Sequence, residues 1–286
     1  MITKKKIVIV SLSKDEAITK IMIQNKKSLK RNISVVLLSD LLSELEILDE
    51  ISDTQKSINW YKNGVKIVSN SSHSILNRVN YIPKELFSNF KEEDQEYAQR
   101  EFEAYLGFSF NSFRGVANNS TNGLCEKTMS LPFQWKLISN SCHIAVPSFY
   151  WGPISLSTLN TNSSTVYSSI YNLTNWSTSS QPLSQEHVFC FNRPKGDPIF
   201  IFTIGKKTLI TSEVTISEKN KLELRNLVQI TNEITKYFIS ETLFFFDGKK
   251  FTFGCVNPVI IRSYKNKLID EFVVKNLLDE FDRCAS

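Results

Sequence analysis

The start of the chain alternates between apolar runs and a helical pattern. Ile7–Val10 is a continuous β-branched run, which is typical of a strand buried on both faces. Ser13 and Glu16 are spaced as a capping box, and they open a helix whose apolar residues recur at helical spacing. Ile33–Leu38 is a second buried run. This order predicts a right-handed βαβ unit with parallel strands.

The next segment predicts a hairpin and one further strand. Ile58–Val68 has strand-forming residues on both sides of an Asn-Gly pair, which favours a tight turn. The strand that follows ends in Asn77 and Arg78, and ligands of open α/β sheets gather beyond such strand ends. Two interpretations stay open for this pair: contact with an anion or substrate, or a structural arginine that pairs with an acidic loop.

The remaining chain carries helical periodicity at four places with strand patterns between them. The predicted helices cover 92–113, 133–141, 222–238 and 269–281, and the predicted strands cover 143–147, 199–204 and 207–211. Ser155–Ser184 is a low-charge Ser/Thr/Asn tract through which Tyr167, Tyr171 and Trp176 are spaced. Two interpretations stay open for this tract: irregular loops or short edge strands.

Ser240–Pro258 predicts the hairpin around which the second half of the chain is arranged. Asp247-Gly248 separates two runs of strand-forming residues and supplies the positive φ angles of a type I′ turn. With a turn of two residues, the opposite pairs are Phe244 with Phe251 and Thr242 with Phe253. Strict alternation then places on one face the residues Phe251, Phe253, Cys255 and Asn257.

Length and composition predict two domains. The chain has 286 residues, of which 41% are hydrophobic and 22% charged, so it can form two cores. We expect an open α/β domain over 1–115 and a second domain of mixed sheet and helices over 116–286. The fold class is therefore α/β, with α+β character in the C-terminal half.

Charge, cysteine and motif content exclude several functional classes. The net charge of +5 is mild, and the lysines form short clusters rather than a stripe interleaved with aromatics, so nucleic-acid binding is not indicated. Five cysteines without a C-x-x-C pair indicate neither a disulfide framework nor a zinc site. Without a signal peptide or a membrane-length apolar window, we expect a soluble cytoplasmic protein. The P-loop, G-x-G-x-x-G, G-x-S-x-G and H-E-x-x-H motifs are all absent.

The order of the elements resembles that of the ATP-grasp superfamily, in particular its ligase-like members associated with ribosomal-peptide modification. The matching pieces are short and degenerate, and together they span nearly the whole chain. They are Ile-Leu-Asn-Arg-Val at 75–79, the segment 94–102, the helix-to-proline piece 132–147, Phe-Thr-Ile-Gly-Lys at 202–206, and the hairpin that ends in Cys255-Val256-Asn257-Pro258.

The resemblance implies an N-terminal pre-ATP-grasp lobe over 1–115 and an ATP-grasp lobe over 116–286 with a reduced central lobe at about 150–205. It also implies ATP-dependent carboxylate-amine ligation through an acyl phosphate. Such a site needs lysines on the central lobe for the phosphates, an arginine near the γ-phosphate, and acidic residues plus an asparagine on the late hairpin for Mg²⁺. The sequence keeps Asn257, but Cys255 stands where a carboxylate is expected. It also has no lysine or arginine between Lys136 and Arg193.

Two hypotheses follow. In one, the chain is a peptide-modification protein that binds a peptide substrate or a partner enzyme with a degenerate or lost ATP site, through contacts drawn from Asn77, Arg78, Tyr167, Tyr171 and Trp176. In the other, it is an active ligase that uses ATP and Mg²⁺. The phosphate contacts would then be Arg193, Lys195, Lys206 and Lys207, and the metal ligands Asn257, Asp247 and Glu241. A homodimer is left open.

Overall fold

The structure is a computed structural model. It describes residues 6–27, 32–52, 56–113, 124–125, 129–153, 165–171, 176, 187–258 and 267–285. Its contacts divide the chain into two units. Unit 1 comprises Met1–Lys127 and Arg262–Ser286, and unit 2 comprises Thr128–Ile261. This division differs from the predicted boundary near residue 115, and it places the last helix in unit 1 rather than in the second domain.

In the part of unit 1 that the structure describes, there is a parallel sheet and an antiparallel sheet, each of three strands. The parallel sheet has the order β2-β1-β6, and the antiparallel sheet has the order β3-β4-β5. The strands are β1 (Lys6–Ser11), β2 (Ile33–Leu37), β3 (Glu46–Ile51), β4 (Lys56–Lys62), β5 (Val65–Ser69) and β6 (His73–Arg78). The helices are α1 (Ala17–Gln24), α2 (Leu38–Ser43), α3 (Glu92–Asn111) and α6 (Lys267–Ala285), with a 3-10 turn at Lys84–Phe87.

The predicted βαβ opening is confirmed, with β1 parallel to β2 and to β6. The start of the helix was predicted wrongly. Ser13 Oγ accepts from the Asp15 amide in a local turn, and Glu16 caps α1 by accepting from Thr19 N at 2.8 Å. The predicted hairpin at Asn63-Gly64 is confirmed, since both residues have positive φ (52° and 71°) between β4 and β5. Strand β3 and helix α2 were not predicted.

The core of unit 1 lies between its sheets and α3. Trp60 and Phe110 are 0% exposed, and the Trp60 Nε1–H donates to Tyr105 Oη at 3.2 Å. The amphipathic pattern of 92–113 therefore predicted α3 correctly, and Phe102, Leu106 and Phe110 lie in the core, whereas Tyr97 of the same helix is 68% exposed. Helix α6 packs against α1 in the same unit.

The described residues of unit 2 form two antiparallel sheets and two helices. The larger sheet has the order β11-β10-β12-β13 and the smaller one β7-β9-β8. The strands are β7 (Phe149–Pro153), β8 (Thr165–Tyr167), β9 (His187–Asn192), β10 (Asp197–Ile204), β11 (Lys207–Ser212), β12 (Ile239–Phe246) and β13 (Phe251–Asn257). The helices are α4 (Leu131–Cys142) and α5 (Glu218–Thr235).

Most predicted elements of unit 2 are confirmed. The exception is the strand predicted at 143–147, where only Ala145 forms a bridge, parallel to Thr252 of β13. The physical reason is that His143 takes a left-handed conformation (φ 51°) and ends α4, so the strand begins later, at Phe149. Of the unassigned 155–184 tract, the structure describes only 165–171 and 176. Among the described helices of both units, none is long and apolar enough to span a membrane.

Candidate functional site

The loop of the hairpin β12–β13 sets which residues of this hairpin face each other. The loop runs from Asp247 to Lys250, four residues rather than the predicted two, and Phe246 pairs with Phe251 across it. Asp247 Oδ1 accepts from the amides of Lys249 (3.0 Å) and Lys250 (2.9 Å), which stabilises the longer loop. These amide hydrogen bonds also lower the pKa of the Asp247 carboxyl. The predicted pairs were therefore wrong, and Phe244 lies opposite Phe253.

A bulge in β13 changes the face of its last residues. The register shifts between the Leu243–Cys255 pair and the Phe244–Phe253 pair, so Gly254 is the extra residue. A β-carbon on Gly254 would lie 2.9 Å from Leu243 Cγ, so only glycine fits here without displacing Leu243. The prediction of one continuous face from Phe251 to Asn257 was therefore wrong, because the bulge turns Cys255 and Asn257 to the other side.

The new register brings Glu241 and Asn257 together. They are directly opposite each other on β12 and β13, and Cys255 follows on the same face opposite Leu243. Asn257 is 9% exposed and Cys255 is 3% exposed, whereas Glu241 is half-buried. The β10 neighbour of Glu241 is the buried Phe202. The candidate site is thus a carboxylate and an amide side by side, with a thiol next along β13.

Helix α4 holds this part of β13 in place, which sequence reasoning did not detect. Gln134 is 1% exposed, its Oε1 accepts from Val256 N at 2.8 Å, and its Nε2 donates to Val256 O at 3.1 Å. Trp135 Nε1 donates to the carbonyl of Gly254 at 2.6 Å. The amide of Phe253 donates to Ala145 O at 2.9 Å. The backbone N–H and C=O groups on the outer edge of β13 therefore form hydrogen bonds with side chains and backbone of 134–145, which is far away in the sequence.

The structure separates Asp247 from the other proposed metal ligands. Asp247 lies in the hairpin loop, and Glu241 lies six positions earlier on β12. At about 3.3 Å per residue, their Cα atoms are roughly 20 Å apart. One ion can therefore contact Glu241 and Asn257 together, but not Asp247 as well.

The four proposed phosphate contacts fall into two pairs at opposite ends of β10. Arg193 and Lys195 are exposed in the loop before β10, and Lys206 and Lys207 are exposed at the turn after it. Lys207 pairs with Ile204 of β10, and Ile204 pairs with Ile239 of β12. Glu241 lies two positions after Ile239 and therefore on the same face of β12. Lys207 thus lies on the face and at the end of the sheet that carry Glu241. The other pair lies at the far end of an eight-residue strand, about 23 Å away.

Aromatic side chains fill the space between the two sheets of unit 2. Trp176 is 5% exposed, and its ring centroid lies 4.9 Å from Phe191 of the small sheet and 5.3 Å from Phe245 of the large sheet. Trp135 packs against Phe191 as well, at 5.2 Å. Trp176 is therefore a core residue rather than a surface contact for a peptide. Tyr167 on β8 is half-buried and Tyr171 is 57% exposed, so both reach solvent.

In unit 1, Asn77 and Arg78 lie at the C-terminal end of β6, as predicted, but both are buried. Arg78 Nε and Nη2 donate to Glu16 Oε1 at 3.0 and 2.8 Å. Burial raises the pKa of the Glu16 carboxyl, but the Arg78 charge and the hydrogen bonds from Arg78 and Thr19 outweigh burial and hold this pKa below its ordinary value. These contacts support the interpretation of Arg78 as a structural arginine. Its partner is Glu16, the residue that caps α1.

Several solved structures are similar to this chain, whereas the comparisons by sequence found no match. No protein-family model and no curated protein matches the sequence. The macrocyclase MdnC bound with precursor peptide MdnA, from Microcystis aeruginosa MRC, superposes with a TM-score of 0.69 at 11% identity, over 96% of this chain and 99% of that chain. The ligase PsnB, in complex with minimal precursor, Mg and ADP, gives 0.67 at 14% identity, over 97% and 98%. The D-alanine-D-alanine ligase from Coxiella burnetii gives 0.56 at 13% identity, over 99% and 95%.

The chain has the ATP-grasp fold. Since the similarity spans both chains almost completely, it covers both units and confirms the mixed α/β class expected from the sequence. At 11 to 14% identity it shows the fold alone.

The side chains at the candidate site fit a magnesium-bound nucleotide only in part. Glu241 and Asn257 offer the oxygen donors that Mg²⁺ prefers, but the thiol of Cys255 is a poor ligand for this hard ion. Among the described residues, no group of three or more His, Cys, Asp or Glu side chains is placed to hold a metal. Strands β7, β8 and β9 lie within 137–192, where the sequence has no lysine or arginine. The small sheet therefore lacks the cations that a triphosphate needs.

Proposed function

We propose that this ATP-grasp-fold protein takes part in peptide modification as a binding protein, which holds a peptide or a partner enzyme and does not turn over ATP. The observation that carries the proposal is the interior between the two sheets of unit 2. Trp176 bridges Phe191 and Phe245 there, and the small sheet contributes no cationic side chain. This interior is filled by the chain's own aromatic side chains, so it offers neither space nor positive charge to a phosphate chain.

The electrostatic cost supports this choice. Each charge-assisted hydrogen bond to a phosphate is worth about 1.5 to 3 kcal/mol. The loss of two such contacts, about 3 to 6 kcal/mol, weakens binding by about two to four orders of magnitude. Lys206 and Lys207 replace these contacts only for a phosphate that lies at their end of the large sheet. The exposed pair Arg193 and Lys195 is too far away to contribute to the same phosphate chain.

A peptide ligand is supported by the solved relatives and by the exposed aromatics. MdnC was solved with precursor peptide MdnA, and PsnB with a minimal precursor. In this chain Tyr171 is 57% exposed and Trp151 is 60% exposed in unit 2. Aromatic side chains bury a large apolar area and can also donate hydrogen bonds, so they are favoured at recognition surfaces.

Titration calorimetry with Mg-ATP tests the proposal. We expect no heat of binding, or a dissociation constant in the millimolar range, with the full-length protein. A micromolar dissociation constant that requires Mg²⁺ would contradict the binding-protein proposal and favour ligation. ATP without Mg²⁺ is the control, because binding to exposed lysines alone does not depend on the metal.

A second candidate function, ATP-dependent carboxylate-amine ligation, is favoured by a specific observation. Glu241 lies directly opposite Asn257, and Lys207 lies on the same face and at the same end of the sheet. If the chain is a ligase, Asn257→Ala abolishes ATP turnover, because it removes an oxygen ligand of the metal. Asn192→Ala, on the small sheet, is a matched control that should keep turnover. Turnover that survives Asn257→Ala would contradict this metal edge.

A further inference from the structure

Strand β3 of unit 1 is an edge strand that no described segment covers. It pairs with β4 in continuous register from Glu46–Tyr61 to Ile51–Lys56, and its other edge pairs with no described strand. Three apolar side chains on it are exposed: Ile47 (39%), Leu48 (52%) and Ile51 (64%). Natural edge strands are usually protected by charged side chains, especially lysine, or by proline, a bulge or short length. β3 is six residues long without lysine, proline or a bulge, and its charged side chains are the acidic Glu46, Asp49 and Glu50.

The segment that contains β3 is acidic, although the chain as a whole is basic. Between Arg31 and Lys56 the sequence has no lysine or arginine and six acidic residues, in a chain of net charge +5. Glu46 and Glu50 lie on one face of β3 with Leu48 between them, opposite Tyr61 and Ser57 of β4. Among the described residues, no basic side chain forms an ion pair with either glutamate. A strand added to this edge therefore meets Glu46 and Glu50 directly, whereas Lys66 lies farther from the edge, over the ring of Tyr61 on β4.

A second copy of the chain is a poor occupant of this edge. Two copies of β3 related by a twofold axis would pair antiparallel and keep each face of the sheet continuous. The registers with the longest overlap place Glu46 opposite Glu50 of the other copy, or Asp49 opposite Asp49. Like charges directly opposite each other in a sheet are destabilising. The edge is therefore suited to a strand of opposite charge.

We propose that β3 is a docking strand for an extended basic peptide segment, which adds to the β3-β4-β5 sheet through main-chain hydrogen bonds. In this mode the backbone supplies affinity, and alternate side chains supply specificity. On the outer face the segment presents basic residues opposite Glu46 and Glu50 and an apolar residue opposite Leu48. This site lies in unit 1 and does not depend on the function proposed for unit 2, so each can fail without the other.

The experiment measures binding of a labelled synthetic peptide, Lys-Val-Val-Val-Lys-Val, to the full chain by fluorescence anisotropy at low salt. The edge variant is Glu46→Lys/Glu50→Lys. Its matched control is Glu213→Lys/Glu223→Lys, which reverses two exposed glutamates of unit 2 and changes the net charge equally. We expect the edge variant to lose affinity by about tenfold or more, since two attractive cross-strand pairs become repulsive, and the control to stay within about twofold.

Two further measurements separate strand addition from general attraction. A peptide with proline in place of the central valine should lose binding, because proline cannot donate to the ladder. The amides of 46–51 should gain protection from hydrogen exchange when the original peptide binds. Equal loss of affinity in both double variants, or no binding by the wild-type chain, would overturn the proposal. Self-association that disappears in the edge variant would also overturn it, by showing that a second copy occupies the edge.

Discussion

Replacement of Gln134 by leucine tests whether the α4 side chain amide holds β13 beside the candidate site. Gln134 is 1% exposed and contacts both backbone polar groups of Val256. Its Nε2 also donates to Met129 O at 2.9 Å. Leucine has a similar volume and helix propensity, so the change removes hydrogen bonds with little change in packing.

The expected cost follows from the burial of Val256, which is 0% exposed. Without Gln134, the outward N–H and C=O of Val256 have neither a protein partner nor access to water. Each unsatisfied buried group costs about 1 to 3 kcal/mol, so the pair costs about 2 to 6 kcal/mol. Against a typical total stability of about 5 to 15 kcal/mol, this is a large fraction.

Urea unfolding followed by tryptophan fluorescence measures this cost. Three of the four tryptophans, Trp135, Trp151 and Trp176, belong to unit 2, so the signal reports mainly on the unit that contains β13. The matched control is Gln229→Leu on α5, whose side chain is exposed and should change the free energy of unfolding by about 0.5 kcal/mol or less. If Gln134→Leu destabilises the protein no more than this control, the assignment of Gln134 as the residue that satisfies the β13 edge is refuted.

Two other predictions concern the ends of elements. Arg78→Met should remove the charge that lowers the pKa of Glu16. The contribution of Glu16 to wild-type stability falls by at most about 1.4 kcal/mol per pH unit as the pH drops below the ordinary value of 4.5, and this contribution should disappear from the acid slope of the variant. An unchanged acid slope in urea unfolding would contradict this. Gly196→Ala should cost more stability than Gly64→Ala. A β-carbon at position 196 would lie 2.2 Å from Phe246 O, whereas a β-carbon at position 64 would meet open space. Equal thermal shifts would contradict this.

Some features were predictable because their signals are local. The buried run Ile7–Val10, the Asn63-Gly64 turn and the periodicity of α3 each depend on residues close in sequence, and the structure confirms all three. The order of the pieces at 75–79, 94–102, 132–147, 202–206 and 255–258 was enough to indicate the ATP-grasp fold, which the solved structures confirm. Strand β3 was not predicted because its polar and apolar residues do not alternate regularly. Only one of its two edges pairs with a described strand, so it lacks the pattern of a strand with a buried face.

The candidate site itself was decided by tertiary structure. The residues Glu241, Cys255 and Asn257 were visible in the sequence, but their faces depend on the length of the Asp247 loop and on the bulge at Gly254. The outer edge at that bulge is held by Gln134 and Trp135, which are 122 and 119 residues away from their partners along the chain. Composition and periodicity therefore determined which elements form and which charges are missing. Only long-range packing determined which side chains meet, because one extra residue in a strand reverses every face beyond it.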